Sequence, residues 1–312
     1  MTLPVDVEAA DTPAGVSEQP EGDRARPGLF GAGEVLVVVG VRNPLEAKLC
    51  ELAGVSALHV GGHAIGEFYH LMPDFGLIEV GELAEWVRRI SDHVALPIFA
   101  DGDQCGESLV NVRRSIRTLE AAGAAAISIE DSLNPKGVGL GTLGLSAMLR
   151  RIDVAVSSRR SSKTLIVART DSAVFGAGPD YLSEFGCKAA AAGADLFFPV
   201  HIQRHVPPEK VAEVARAVGL PIMLSNATAV LSSSVAPSIN LLSGGAERAM
   251  LQAAYRVFTH IAQTGEEPDL SGEPTGAIDT KALIDDIINR SEWLAVANQI
   301  ERNGEKESTP SV

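Results

Sequence analysis

Short runs of consecutive apolar, often β-branched residues recur along the chain, separated by longer stretches of helical periodicity. The runs are EVLVVVGV (34–41), ALHVGG (57–62), LPIFAD (96–101), AAISIED (125–131), TLIVART (164–170), DLFFPVH (195–201), LPIMLSN (220–226) and SINLLSG (238–244). Continuous apolar runs of this length predict parallel strands covered on both faces. The segments between them are amphipathic: Leu109, Val112, Ile116 and Leu119 recur at helical spacing in ESLVNVRRSIRTLEAAG, which stops at Gly123. PEKVAEVARAVG (208–219) repeats the design, with Pro208 at its start and Gly219 at its end. Eight strand–helix units predict an α/β chain folded as a (β/α)8 barrel of the TIM type. The alternative is a doubly wound open sheet. It would carry a glycine-rich phosphate turn after the first strand, and VGVRNPLEAK has no GxGxxG.

The barrel is expected over residues 29–265. Ahead of it, residues 1–28 are rich in Pro, Asp, Glu and Gly and poor in bulky apolar side chains, which predicts a disordered extension. The tail GEKESTPSV (304–312) reads the same way, and 266–303 reads as a C-terminal helical segment. With 46% hydrophobic residues in 312, the chain can bury a large core. A formal charge of −14 and 4% aromatic residues leave neither a basic stripe for phosphates nor side chains for base stacking, so nucleic acid is excluded as a partner. No apolar run approaches the ~20 residues that span a bilayer, and the first residues lack a hydrophobic signal core. A membrane association is therefore not expected. Cys50, Cys105 and Cys187 show no CxxC spacing and are odd in number, which suits a reducing compartment and predicts the cytoplasm. On that reading the sequons at Asn226 and Asn289 are chance matches.

In such a barrel the functional groups sit at the C-terminal ends of the strands. The polar residues ending the apolar runs form one ring: Gly61, Gly62 and His63; Asp101 and Asp103; Glu130 and Asp131; Arg169 and Asp171; His201. Four acids, Asp101, Asp103, Glu130 and Asp131, are thus expected to converge, and a hard divalent cation would relieve their repulsion. Oxygen-only ligands favour Mg2+, with Mn2+ as the substitute. Helix capping explains any one of these acids. It does not explain Asp-x-Asp and Glu-Asp on neighbouring strands with Arg169 on the next. His59, His63 and His70 carry no HxxxH helix and are assigned no metal.

NPLEAKLCELAGVSALHVGG, MPDFG (72–76), LPIFADGD, LEAAGAAAISIEDSLNPK, IVARTDS and AAAAGAD together resemble the isocitrate lyase and phosphoenolpyruvate mutase superfamily, in order and spacing, over roughly residues 29–265. The resemblance implies a Mg2+-dependent barrel that stabilises the enolate of a 2-oxo acid, assembled as a helix-swapped homodimer or homotetramer in which the 276–302 region would swap or dock. It also implies residue roles. Asp101 matches the direct metal ligand, and Asp103 and Glu130 match acids that hold the metal's waters. Asp74 matches the aspartate near the substrate, Arg169 the arginine that grips a substrate carboxylate, and Lys136 the retained lysine of the mobile loop. Gly61, Gly62 and His63 fall where backbone N–H groups contact substrate oxygen.

The chemistry-determining loops depart from the family pattern. Where members read DADxGYGN, this chain reads Asp101-Gly-Asp-Gln-Cys-Gly-Glu-Ser108. Lyases of isocitrate and methylisocitrate read PK-x-CGH on the mobile loop, against Pro135-Lys-Gly-Val-Gly-Leu140 here. Val138 and Leu140 cannot move a proton, which disfavours those two activities. The phosphonate branch reads EDK-x-x-PK, and here Ser132 stands at the first lysine and a glycine-rich apolar stretch follows Lys136. Cys105, beside Asp103, is a poor substitute base because negative charge raises its pKa. The sequence therefore predicts C–C bond lysis of a small 2-oxo or 2-hydroxy di- or tricarboxylate through an enolate. Such an enzyme would be oxaloacetate decarboxylase-like or alkylmalate lyase-like. SINLLSGG lacks the NGH-type signature of the decarboxylase branch, so the substrate stays open. The alternatives are P–C chemistry of the mutase or phosphonopyruvate hydrolase type and a non-catalytic metal- and ligand-binding barrel.

Overall fold

Each of the eight apolar runs forms a strand in the computed structural model, which describes residues 34–236, 238–270, 280–296 and 299. The strands are β1 Val35–Gly40, β2 Ala57–Val60, β3 Ile98–Asp101, β4 Ala124–Ile129, β5 Leu165–Thr170, β6 Leu196–Pro199, β7 Ile222–Ser225 and β8 Ser238–Leu242. They pair in parallel in chain order and close, β8 against β1, into the expected barrel. The connecting helices are α1 Pro44–Leu52, α2 Gly62–Ile65 running into a π turn Gly66–His70, α3 Val80–Ser91, α4 Leu109–Ala121, α5 Leu145–Ser158 and α6 Pro179–Ala191. They continue with α7 Ile202–His205, α8 Pro208–Val218, α9 Ala229–Ser234, α10 Gly245–Thr264 and α11 Thr280–Ile287. The predicted extension 1–28 and tail 304–312 lie outside the described residues, as do parts of the predicted segment 266–303.

Local chemistry fixes the helix boundaries. The Asn43 side chain accepts from the backbone N–H of Glu46 at the start of α1, and Ser108 with Asn111 forms a reciprocal capping pair at the start of α4. Gly219 takes the left-handed conformation that ends α8.

Alternation along the strands sorts the apolar side chains into two layers. Val38, Ala57, Phe99, Ala126, Val167 and Ile239 fill the barrel interior. Leu58, Ile98, Ile127, Ile166, Phe197 and Leu224 face the helices. The same alternation positions the chemistry. Two residues beyond an inward-facing apolar position come His59 after Ala57, Asp101 after Phe99, Ser128 after Ala126 and Arg169 after Val167. The interior is apolar below and charged at its C-terminal mouth.

None of the residues of α10 is buried, and the helix exposes Met250, Leu251, Tyr255 and Phe258. Among the described residues no helix is long and apolar enough to cross a membrane.

Two glycines test the helix layer in opposite directions. A Cβ on Gly186 would lie 2.4 Å from Val218 Cγ2 and 3.2 Å from Phe197, so α6 approaches α8 and β6 as closely as it does only without a side chain there. Gly186→Ala is expected to destabilise the protein by about 1–3 kcal/mol. Gly81, in the first turn of α3, has nothing within 4 Å of the same atom, and Gly81→Ala should stabilise by about 0.4–1 kcal/mol. Thermal or urea melts of the two variants would show shifts of opposite sign.

Candidate active site

The strand ends bring five carboxylates onto two cations. Arg169 on β5 contacts Asp101 Oδ2 at 2.6 Å, Glu130 Oε2 at 2.7 Å and Asp171 Oδ1 at 3.0 Å. Lys136, in the loop after β4, contacts Asp103, reaches Asp74 Oδ1 at 3.0 Å and lies 3.8 Å from Glu130 Oε1. Ser128 Oγ donates to Asp101 Oδ1 at 2.7 Å. Asp101, Asp103 and Glu130 each offer an oxygen within 4.8 Å of the other two.

Burial acts against the charged form of every acid here, and neighbours decide the outcome. At Asp101, Arg169 and then Lys136 overcome burial and hold the carboxyl below its usual range. At Glu130, burial prevails and pushes the pKa well up; at Asp103 it also prevails, against the pull of Lys136. Burial would lower the pKa of Lys136, but Glu130 and Asp103 raise it, so the ammonium stays charged. Both Glu130 oxygens are buried and make ion-pair contacts without a hydrogen bond among the described residues. An all-carboxylate donor set with surplus negative charge and an under-satisfied buried glutamate fits a hard divalent cation and its waters.

The loop carrying Asp103 is tightly wound. Asp103, Cys105 and Gly106 all adopt positive φ, at 47°, 56° and 94°. Arg151 of α5 reaches across and donates to the carbonyls of Gln104, Gly106 and Glu107 at 2.9, 2.7 and 2.5 Å. Ser115 Oγ donates to the Cys105 carbonyl, and the Gln104 amide to that of Ser132. Cys105 itself is fully buried, and burial followed by Asp103 pushes its thiol up. It plugs the core and has no access to a substrate.

The other expected residues fall on or near one cavity of about 350 Å³ at the barrel mouth, whose wall includes Gly61, His63, Asp74, Asp101 and Arg169. Gly62 opens α2, where an added Cβ would lie 3.9 Å from Asp103 Oδ2. His63 stands on the rim, 3.5 Å from Glu67 and grouped with Glu247. His201 has φ 55° and lines the cavity with a buried Nδ1 that has no hydrogen-bond partner among the described residues.

One expectation is corrected. Asp131 does not join Asp101, Asp103 and Glu130: it accepts from Thr170 Oγ1 at 2.6 Å and from the Asp171 N–H at 2.9 Å. Neighbouring strand-end residues face opposite ways, so Glu130 enters the barrel while Asp131 braces β4 to β5, where burial raises its pKa to about 6. Sequence reasoning overlooked Arg42 and Ser128 and set His59 aside. The signal for His59 and Ser128 was their step of two from an inward-facing apolar residue, and Arg42 stands two such steps beyond Val38, with Gly40 between. His59 lines the cavity beside Asp101, and burial lowers its pKa against the pull of that carboxylate.

A parallel eight-stranded barrel with clustered acids, a buried lysine and a buried arginine at the C-terminal mouth is the architecture of a TIM-barrel enzyme. The family model described as phosphoenolpyruvate phosphomutase matches residues 28–264, and the chain belongs to this family, within the phosphoenolpyruvate mutase/isocitrate lyase superfamily. It is similar to a 2-methylisocitrate lyase of Aeropyrum pernix, 34% identical over 263 residues that cover 78% of this chain and 83% of that protein. It is also similar to an oxaloacetate decarboxylase of Paraburkholderia xenovorans, 28% identical over 202 residues, covering 64% and 66%. Among solved structures, phosphonopyruvate hydrolase in complex with oxalate and Mg2+ superposes with a TM-score of 0.74 at 25% identity, covering 85% of this chain and 93% of that one. The chain is accordingly an enzyme of this superfamily of lyases and mutase-like proteins.

The charge balance yields a stability prediction. Lys136→Met leaves Asp103 and Glu130 buried with Arg169 as their remaining cation. In EDTA the variant should lose about 3–5 kcal/mol of stability. Urea denaturation with and without Mg2+ should show the loss shrinking when the ion is present.

Proposed function

We propose that the chain is a Mg2+-dependent C–C lyase acting on a small 2-oxo or 2-hydroxy di- or tricarboxylate through an enolate. The observation that carries this reading is the surplus of buried carboxylate around Lys136 and Arg169, facing a cavity of small-molecule size. Asp101 would ligate the ion directly, and Asp103 and Glu130 would hold its waters, with Mn2+ able to substitute. When bound, the ion supplies positive charge that polarises the substrate's 2-oxo group. Arg169 presents a planar fork suited to a substrate carboxylate. Lys136 keeps Asp74 and Asp103 in place and pins the start of its loop. The backbone of Gly61, Gly62 and His63 flanks the same cavity end.

The 134–142 loop shapes the choice among relatives. Val138 and Leu140 are half exposed on it and present hydrocarbon, with no group that transfers a proton. Closed over the cavity, the loop would exclude water, and the enolate would take its proton from retained solvent. Decarboxylation of a 3-carboxy-2-oxo acid needs no more than these parts, and an alkylmalate lyase needs one further base. The cleavage of methylisocitrate named for the Aeropyrum relative is disfavoured on the same ground. P–C chemistry is the second reading, favoured by the superposition on phosphonopyruvate hydrolase and by the retained Lys136. Assembly as a homodimer or homotetramer is part of the proposal: Leu251, Tyr255 and Phe258 form an exposed stripe on α10, at the spacing of a helix that docks on a second copy. The free thiols of Cys50, Cys105 and Cys187 suit the cytoplasm.

Asp101→Ala should abolish Mg2+-dependent turnover while circular dichroism reports an unchanged fold, and unchanged turnover would refute the metal assignment. Asp103→Asn and Glu130→Gln should lose about 10–100-fold, acting through bound waters. Assays with oxaloacetate and 2-alkylmalates, beside phosphorus NMR with phosphonopyruvate, separate C–C from P–C cleavage. Mg2+-dependent oxalate binding without turnover of any of them would favour the non-catalytic barrel. Val138→Ala should change kcat modestly and leave its pH profile in place. A large loss with a shifted profile would show that the loop positions an acid or base.

A further inference from the structure

Opposite Arg169, the mouth of the barrel carries a second buried guanidinium. In a closed barrel of eight strands β1 faces β5 across the axis, and Val38, Gly40 and Arg42 succeed one another on the inward side of β1 and its extension. Arg42 is 2% exposed and lines the cavity that Arg169 lines from the far side. Its position is fixed from several directions. Nε donates to Glu46 Oε2 at 2.9 Å, Nη2 lies 2.8 Å from Glu46 Oε1 and 3.3 Å from Met250 Sδ, and the guanidinium carbon stands 3.9 Å over the Phe68 ring. The third nitrogen, Nη1, is buried and has no hydrogen-bond partner among the described residues. A buried guanidinium N–H group without an acceptor is rare in a folded protein and points to a ligand atom. His201 Nδ1, on the same cavity, is unpartnered too.

We infer that Arg42 is a specificity-determining residue that binds a second carboxylate of the substrate, remote from the end gripped at Arg169. The inference rests on the proposed lyase reading for the orientation of the ligand. Glu46 neutralises Arg42 and fixes its plane, so the guanidinium is pre-organised and Nη1 is the atom left to donate. A cavity of about 350 Å³ between two opposed arginines suits a ligand of four to seven carbons with a carboxylate at each end, and selects against a monocarboxylate.

The test compares two inert ligands by isothermal titration calorimetry in the presence of Mg2+. The two carboxylates of oxalate are adjacent and would fill the Arg169 end alone, whereas 3,3-difluorooxaloacetate carries its second carboxylate two carbons farther along. Arg42→Lys keeps the charge beside Glu46 but not the planar fork, and the double variant Arg42→Gln/Glu46→Gln removes the ion pair without leaving a lone buried charge. In both, affinity for difluorooxaloacetate should fall about 10–100-fold while that for oxalate stays within about twofold. Equal losses for the two ligands, no loss for either, or a wild-type protein that does not bind difluorooxaloacetate would overturn the inference. So would variants that bind both ligands normally but change oligomeric state in sedimentation, which would assign Nη1 to an interface. A wild type that fails to bind oxalate would overturn the metal-site reading alone, because the difluorooxaloacetate contrast still decides Arg42.

Discussion

Arg169 meets three carboxylates at once, and the barrel mouth depends on that contact. Two like charges about 4 Å apart repel by about 4 kcal/mol at an effective dielectric of 20, so Asp101, Glu130 and Asp171 could not share the space without the cation between them. The guanidinium does this because it is planar and offers separate N–H groups in fixed directions: Nη1 to Asp101, Nη2 toward Glu130, and Nε with Nη2 to Asp171. A lysine would present one point of charge and leave two of the acids facing each other. Lys136 fills that lesser role nearby, where Asp103, Asp74 and Glu130 approach a single nitrogen. The acids are consequently unequal. Asp101 is held ionised, while burial favours the protonated form of Glu130 and Asp103 until more positive charge arrives.

The scaffold makes such a cluster tolerable by keeping it at one level. Below it the barrel interior is hydrocarbon, so the charged layer lies above β3, β4 and β5, one inward step beyond the last apolar residue at Asp101 and Arg169 and two at Glu130. Contacts from outside the barrel then set the final geometry. Arg151 ties down three carbonyls of the loop that begins at Asp103, holding a stretch that positive φ values would otherwise make costly. Cys105 anchors that loop from the core side, which accounts for a thiol in the middle of an acidic segment.

The fold was legible because parallel strands buried on both faces write themselves as continuous apolar runs, and all eight were read within a few residues of their observed ends. Asp101, Asp103, Glu130 and Arg169 were legible for a related reason: a charged residue closing such a run has nowhere to go but the mouth. What escaped was set by direction and by distance along the chain. Asp131 was counted with Glu130 because adjacency in sequence hides opposite facing. Arg42 was not singled out, since Phe68 and Met250, which fix it, are remote in sequence. The wound path of 103–106 depends on Arg151, more than forty residues later, and no local pattern announces it.

These parts constrain the chemistry more by what they omit than by what they supply. The charged groups that β3, β4 and β5 bring to the mouth are engaged with one another: the carboxylates of Asp101, Glu130 and Asp171 are suited to holding a cation, and Arg169 to binding an anion. The loop that would carry a proton donor in the lyases offers Val138 and Leu140, and the nearest thiol is sealed in the core. On the proposed lyase reading, a site so built would lower its barrier mainly through electrostatic stabilisation of developing negative charge. That reading favours a reaction whose difficult step is the departure of a neutral fragment from an electron-rich carbon.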